Sequence, residues 1–281
     1  MANNVNIFEK FGVKEVANVY FEALENNEAF GEKKGDIVLF LDTLKVSSIE
    51  TTAENAAATG GWGNPKLVMW DYGKEINLTL EDALLSLESA RIMLGGKIKD
   101  SKASNTTVEV HYTAEVTCGV SGSVSLTGLI NPSTKNAFSS DDLPNGEFRF
   151  INVTQGYRGT ANADGGQVSL TGNNNESAAK DDVLRLFWTV NKTSASQGNS
   201  AVEITISPDT FPGTYKIVGD TFMRNTNGKD YPFQFVINKA KVQSEVTLTL
   251  EAEGDPSTFE MSISVLRDDS GEMMKMIRYA E

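Results

Sequence analysis

Apolar and polar residues alternate along most of this chain, and the alternation gives way to a longer period in one place. In KEINLTL, Ile76, Leu78 and Leu80 alternate with polar neighbours, the period of a half-buried strand. The stretch SEVTLTLEAEGDPSTFEMSISVL repeats it at Val246, Leu248 and Leu250, then at Met261, Ile263 and Val265. DIVLFLDTLKVSSIETTAE, TTVEVHYTAEVTCGV and DDVLRLFWTV are rich in β-branched and aromatic residues and read as extended. Asn227-Gly228, Gly254-Asp255-Pro256 and Ser270-Gly271 supply turns between such runs. The period changes in LTLEDALLSLESARIMLGG, where Leu80, Ala83, Leu84, Leu87, Ala90 and Leu94 fall at helical spacing. Thr79 with Asp82 has the capping-box form, and Gly95-Gly96 supplies a stop. One helix is therefore expected over 80–94, its single apolar stripe laid across a sheet.

Composition along the chain suggests three regions. Residues 1–98 hold the helix and the first strands, and 200–281 are again strand-dominated. Between them, 99–199 are dense in Ser, Thr, Asn and Gly, and read as a β-rich module. The pentapeptide VSLTG occurs twice there, at Val124–Gly128 and Val168–Gly172. Two similar hairpin strands account for that echo as well as a duplication would. The expectation is that 1–98 and 200–281 form one folding unit, with 99–199 inserted and the C-terminal segment part of the sheet.

One segment stands apart. GGWGNPKLVMWDYGKE, residues 60–75, sets Gly60, Gly61 and Gly63 around Trp62 and then places Leu67, Val68, Met69, Trp70 and Tyr72 close together. On the residues alone, two readings balance. Trp62 and Trp70 fold back onto their own core, or the segment is a docking arm. In the second, glycines give bends, Pro65 stiffens the chain, and Trp62, Trp70 and Tyr72 are anchors at an interface with a second subunit.

Charge and candidate chemistry narrow the function. A hydrophobic content of 40% and a charged content of 22% are globular values, and 281 residues suffice for one large or two ordinary domains. The net charge of −13 disfavours a partner held through phosphate contacts. With one cysteine, Cys118, no intrachain disulfide forms and no Cys-based zinc site exists; the thiol reads as buried and inert. No basic-then-apolar leader or membrane-length apolar run occurs, so synthesis in a cytoplasm without membrane insertion is expected. Sequons at Asn77, Asn105, Asn152, Asn175 and Asn191 then carry no glycan. His111 is the only histidine and sits in an alternating strand, where it reads as a surface residue rather than a ligand or base. Asp268-Asp269-Ser270-Gly271-Glu272 lacks the alternate ligand spacing of an EF-hand and reads as a solvated turn. Nucleotide-binding loops and hydrolase motifs are missing, so catalytic, metal and cofactor sites are all expected to be none.

The ordered succession of LDTLKVSSIETTAE, GGWGNPKLVMWDYGKEINLTLEDALLS and FPGTYKIVGDTFMRNTNGKDYPFQFVINKAKVQSEVTLTLEAEGDPSTFEMSISVL resembles tail tube proteins of bacteriophages, most of all those of phages infecting Gram-positive hosts. The resemblance covers the first and third regions. It implies a mainly β fold, a β-sandwich or rolled sheet with one flanking helix and a long loop, here carrying an inserted β-rich module. It also implies a structural protein of the virion without enzymatic activity. Six copies would form a ring whose sheets join in a β-barrel, and rings would stack into the conduit for the genome. Expected partners are copies of the chain and other tail proteins, such as a terminator, baseplate, tape measure or sheath. DNA would pass without tight binding. A terminator or adaptor of the same fold is the nearest rival; a carbohydrate-binding module, with its Trp-rich loop, is the rival from another class, and a hydrolase ranks last.

Overall fold

A computed structural model describes residues 10–13, 17–28, 30–103, 105–163, 167–173, 176–193, 200–244 and 258–279. The chain opens with β1 (Phe11–Val13), β2 (Asn18–Ala23), β3 (Ile37–Leu41) and two long strands, β4 (Leu44–Thr59) and β5 (Lys66–Asp82). Helix α1 (Leu87–Leu94) and β6 (Lys97–Asp100) follow. Next come β7 (Thr107–Thr117), β8 (Ser123–Ser125), β9 (Gly146–Asn152), β10 (Tyr157–Ala163), β11 (Gln167–Ser169), β12 (Thr171–Gly172) and β13 (Val183–Thr193). The last strands are β14 (Val202–Thr205), β15 (Thr214–Asn225), β16 (Asp230–Val242), β17 (Phe259–Val265) and β18 (Lys275–Arg278). The fold is mainly β, with several antiparallel sheets and, among the described residues, one α-helix. The chain divides into two compact units, residues 1–98 with 204–281, and residues 99–203.

The first unit is built on a sheet of order β3-β2-β15-β16-β17-β5-β4, with β1 added to β15 and β18 to β16. Strand alternation turns Phe21, Leu39, Leu78, Ile217, Ile237 and Ile263 to one face, where all are buried in a single cluster. In the central ladder, Gly219 lies opposite Phe235, and the phenyl ring occupies the space a side chain at 219 would need. A Cβ there would stand 2.2 Å from the ring. Asn225 closes the turn between β15 and β16, its Oδ1 accepting from the backbone N–H of Asn227 at 3.0 Å and of Lys229 at 2.8 Å. Gly228 takes φ 79° in that turn, which favours glycine. Pairing of β18 with β16 makes the C-terminal segment part of the sheet. Val246, Leu248, Leu250 and the turn at Gly254–Pro256 lie outside the described residues.

The helix is shorter than the 80–94 expected. Strand β5 continues through Leu80 to Asp82, opposite Met261 and Phe259 of β17, and α1 begins only at Leu87. Period-two burial of Ile76, Leu78 and Leu80 overrides the helical spacing that begins at Leu80. Asp82 is no cap; it accepts from Thr43 Oγ1 at 2.5 Å. Ser86 and Ser89 form the capping box instead, each hydroxyl accepting from the other's backbone N–H at 2.9 Å. Gly95, at φ 63°, ends the helix where expected. The stripe also differs: Leu84, Leu87 and Leu94 are exposed, while Ala90, Arg91, Ile92 and Met93 are buried. Arg91 Nη2 pairs with Glu32 at 2.7 Å and with Glu88 at 2.6 Å, and the Tyr215 hydroxyl donates to Glu32 Oε1 at 3.4 Å. Burial, then the Glu32 carboxylate, pushes the Tyr215 hydroxyl up, so it remains a donor. An ionic contact thus fixes the helix to the sheet unit. Breaking such a buried pair typically costs about 3–5 kcal/mol.

The second unit has a sheet of order β12-β10-β9-β13-β7 and a separate pair, β8 with β11. Phe148, Phe150, Leu184, Leu186 and Trp188 of the sheet share one buried cluster with Val124, Leu126, Val168 and Leu170. The two VSLTG segments begin in strands that pair with each other, and they meet at Val124 and Val168. Val124 faces Val168, with Ser123 opposite Ser169. Cys118 is buried beside this core; burial, then Asp182, pushes its thiol up. His111 is exposed on β7, with Nδ1 3.1 Å from Thr189 Oγ1.

Replacing Gly219 by alanine is expected to destabilise the first unit by about 1–3 kcal/mol through overpacking against Phe235. In denaturant melts, G219A combined with Phe235→Ala should lose less than the two single losses added together, because the cavity accepts the new methyl. Additive losses would show that the ring and the glycine are not coupled.

Candidate assembly surface

Where a loop was expected, the chain builds a long β-hairpin. Strands β4 and β5 stay paired from Leu44 and Asp82 to Thr59 and Lys66. Strand β17 accompanies β5 only as far as Asn77, opposite Ser264. Beyond that point the hairpin runs on for about 30 Å at a strand rise of ~3.3 Å per residue, paired among the described residues only with itself. The tip is a tight reversal. Gly61 and Gly63 each take φ 85° and Asn64 φ 48°, while Asn64 N–H donates to Gly61 O at 3.1 Å. The Gly60 N–H donates to Pro65 O at 3.2 Å and closes the reversal. Those constraints explain the glycine content of the segment.

Register decides which side chains share a face. Trp70 lies opposite Ala56, Val68 opposite Ala58 and Tyr72 opposite Glu54. Small alanines leave the indole and the valine uncovered from the facing strand. Trp70 is 58% and Tyr72 54% exposed, and Trp62 at the tip is wholly exposed. Pro65 is exposed at the base of the reversal. Leu67 and Met69 are exposed as well. An irregularity between Thr52 and Glu54 adds a residue on β5 beside Gly73, at φ 60°, so the arm is twisted relative to the sheet it leaves. Trp62 and Trp70 take no part in the buried cores of the chain. Packing of these tryptophans onto their own core, one of the two readings of the sequence, is overturned.

The hairpin continues an open edge. In the sheet order, β4 ends one side and β3 the other, so each presents a row of unpaired backbone groups among the described residues. Ile37 and Phe40 stand exposed on β3. Leu84, Leu85 and Leu87, expected in part as the helix's buried stripe, form a further exposed apolar group at the start of α1. Sequence periodicity misassigned them because it extended the helix backwards into β5.

The sheet face opposite the core is polar at the β4 end. Ser48, Thr79 and Ser262 lie in one cross-strand row, and Glu50, Asn77, Ser264 and Lys241 in the next. Gln243 Nε2 donates to Ser264 Oγ at 2.7 Å, and that hydroxyl donates to Asn77 Oδ1 at 3.3 Å. Glu81 and Glu260 lie directly opposite each other. Like charges in that position disfavour folding on their own. They place two carboxylates side by side on this face.

The Asp268–Glu272 segment is a turn: Asp268 accepts from Ser270 Oγ, Asn238 Nδ2 and the Glu272 N–H, at 2.7, 2.7 and 2.8 Å. Those bonds hold its carboxyl down at about 2. Among the described residues no three His, Cys, Asp or Glu side chains converge as a metal group, and no helix is long and apolar enough to cross a membrane.

No curated protein matches the chain. A family profile does, over nearly its whole length. That match agrees with the tail tube resemblance carried by the strand succession of the first unit. Residues 11–279 match the YomU/Tube protein family, and the chain belongs to that family.

Proposed function

We propose that this chain is the repeating structural subunit of a phage tail tube, six copies closing a ring and rings stacking into the channel that delivers the genome. The family supports a tube protein of the tail. The observation that carries the finer reading is the pair of open edges on one sheet, β3 at one side and β4 at the other. An edge that pairs head-to-tail with a different edge of the next copy generates a closed ring, and closure removes the hazard of unpaired strands. The hairpin arm then reaches a neighbouring subunit or ring, with Trp62, Trp70 and Tyr72 as anchors and Pro65 stiffening its tip. No catalytic step is assigned to the protein.

On this reading the polar face lines the bore. Hydroxyl and amide groups give DNA no cationic grip, and Glu50, Glu81 and Glu260 repel phosphate, with Lys241 balancing them in part. Screening confines the effect to a few ångströms, since the Debye length is about 8 Å at physiological ionic strength. Residues 99–203 serve as a module inserted in the tube fold. The tail of the virion is the place of action. Other tail proteins bind the tube's ends or outer surface.

Electron microscopy of the purified chain is expected to show rings or tubes; discrete monomers under all assembly conditions would favour a terminator, an adaptor or a binding module. Trp70→Ala should weaken assembly by an amount on the order of 2 kcal/mol while leaving the monomer's melting unchanged. Collapse of the monomer would instead return the indole to the core. Filter binding should detect no retention of duplex DNA at physiological salt, free or assembled, and tight salt-sensitive retention would contradict an acidic bore. Replacing residues 102–200 with a short Gly/Ser turn should leave a protein that unfolds cooperatively. An insoluble or molten product would make those residues part of the tube core.

A further inference from the structure

We propose that Lys192 and Asp142 become joined by an intramolecular amide between Lys192 Nζ and Asp142 Cγ. Strand β13 turns Leu184, Leu186 and Trp188 inward, and Lys192 occupies an inward position of the same alternation. Its ammonium meets the carboxylate of Asp142, which ends the short helical turn Ser140–Asp142. Both side chains are almost fully withdrawn from water, at 3% and 10% exposure. Tyr112, Phe138 and Trp188 pack against one another nearby, with ring centroids 5.1 to 5.8 Å apart.

Asp142 is held on several sides. The Tyr112 hydroxyl donates to Oδ1 at 3.2 Å, Ser139 Oγ donates to Oδ2 at 2.8 Å, and Trp188 Nε1 donates to its backbone carbonyl at 2.7 Å. The carbonyl carbon is thereby presented to the amine in a fixed geometry. Such positioning is worth effective molarities of about 10⁵ M or more. Burial, with Asp142 next, pushes the Tyr112 hydroxyl up to about 12, so it stays a donor to the oxygen on which charge develops. Burial alone would raise the Asp142 carboxyl; Lys192 and Ser139 reverse that and hold it low. Asp142 therefore starts as a carboxylate in an ion pair with Lys192.

The chemistry balances without any further reactant. The ammonium passes one proton to the carboxylate, giving amine and acid. Nζ then attacks Cγ, and its second proton leaves with the carboxyl hydroxyl as water. One N–C bond forms, one C–O bond breaks, and nothing is oxidised. The product replaces two buried charges by a neutral amide and frees a water, which relieves the desolvation cost of the ion pair. Among the described residues the other buried charges lack this combination. Asp182 accepts from Asn152, Gln155 and the Ala179 N–H, with no amine among them. Glu32 faces a guanidinium, which does not act as a nucleophile.

Intact mass spectrometry of the denatured full-length chain tests this. The folded protein, after prolonged incubation at neutral pH, is expected to be lighter than its sequence by one water. Trypsin should fail to cleave after Lys192, and the peptides carrying Asp142 and Lys192 should leave as one branched species. Lys192→Met and Asp142→Ala should each return the full mass. Full mass in the wild type with ordinary cleavage after Lys192 overturns the proposal, and so does a water loss mapped to any other residues. Should either variant fail to fold, the branched peptide of the wild type still decides.

Discussion

The ladder between β15 and β16 is the interaction on which the first unit depends. Strands β1 and β2 pair with β15, β17 and β18 pair with β16, and β3, β5 and β4 are attached through those neighbours. Its tightest point is the laying of the Phe235 ring over Gly219. A phenyl group above a missing side chain lets two backbones stay in register while the ring remains buried. The same face then carries Tyr215 to Glu32 and Arg91, so the ladder also fixes the helix. Every open feature of the unit, its edges and its arm, projects from this one paired centre.

An arm of this kind is unusual for a chain on its own. Among the described residues its backbone pairs only within itself, and its exposed side chains include Trp62, Leu67, Met69, Trp70 and Tyr72. Two-stranded hairpins without a covered face are marginal in water. The chain by itself leaves these side chains in solvent. The net charge of −13 opposes non-specific association through such a surface.

Much of the fold was legible from period alone. Ile76, Leu78 and Leu80, like Met261, Ile263 and Val265, alternate in sequence and are buried in the structure. Gly95 marks the end of α1 by the same rule that predicts it. The start of the helix was not legible, because Leu80 satisfies both a strand period and a helical one, and pairing with β17 decides between them. The aromatic segment was visible by composition, yet its strand character was hidden by the glycines and Pro65, of which all but Gly73 turn out to be confined to the tip. Arg91 gave no warning in sequence either. A charged residue within an apolar helical stretch declares its partner, Glu32, only when the distant loop is brought beside it. Lys192 left a fainter trace, as a cation on the inward side of VLRLFWTVNK.

The pairing of the two VSLTG segments has a consequence of its own. The ladder sets the tripeptide Ser123–Ser125 against the near-identical Gln167–Ser169, with Val124 opposite Val168 at its centre. Each tripeptide meets its own copy on a second molecule in nearly the pairing that it makes with its partner. What favours the internal pair is tethering, since a segment on the same chain is present at a far higher effective concentration than one on another chain. Crowding many copies into one object narrows that advantage. The two strands therefore carry a latent route to exchange between copies, held in check by their tether within one chain.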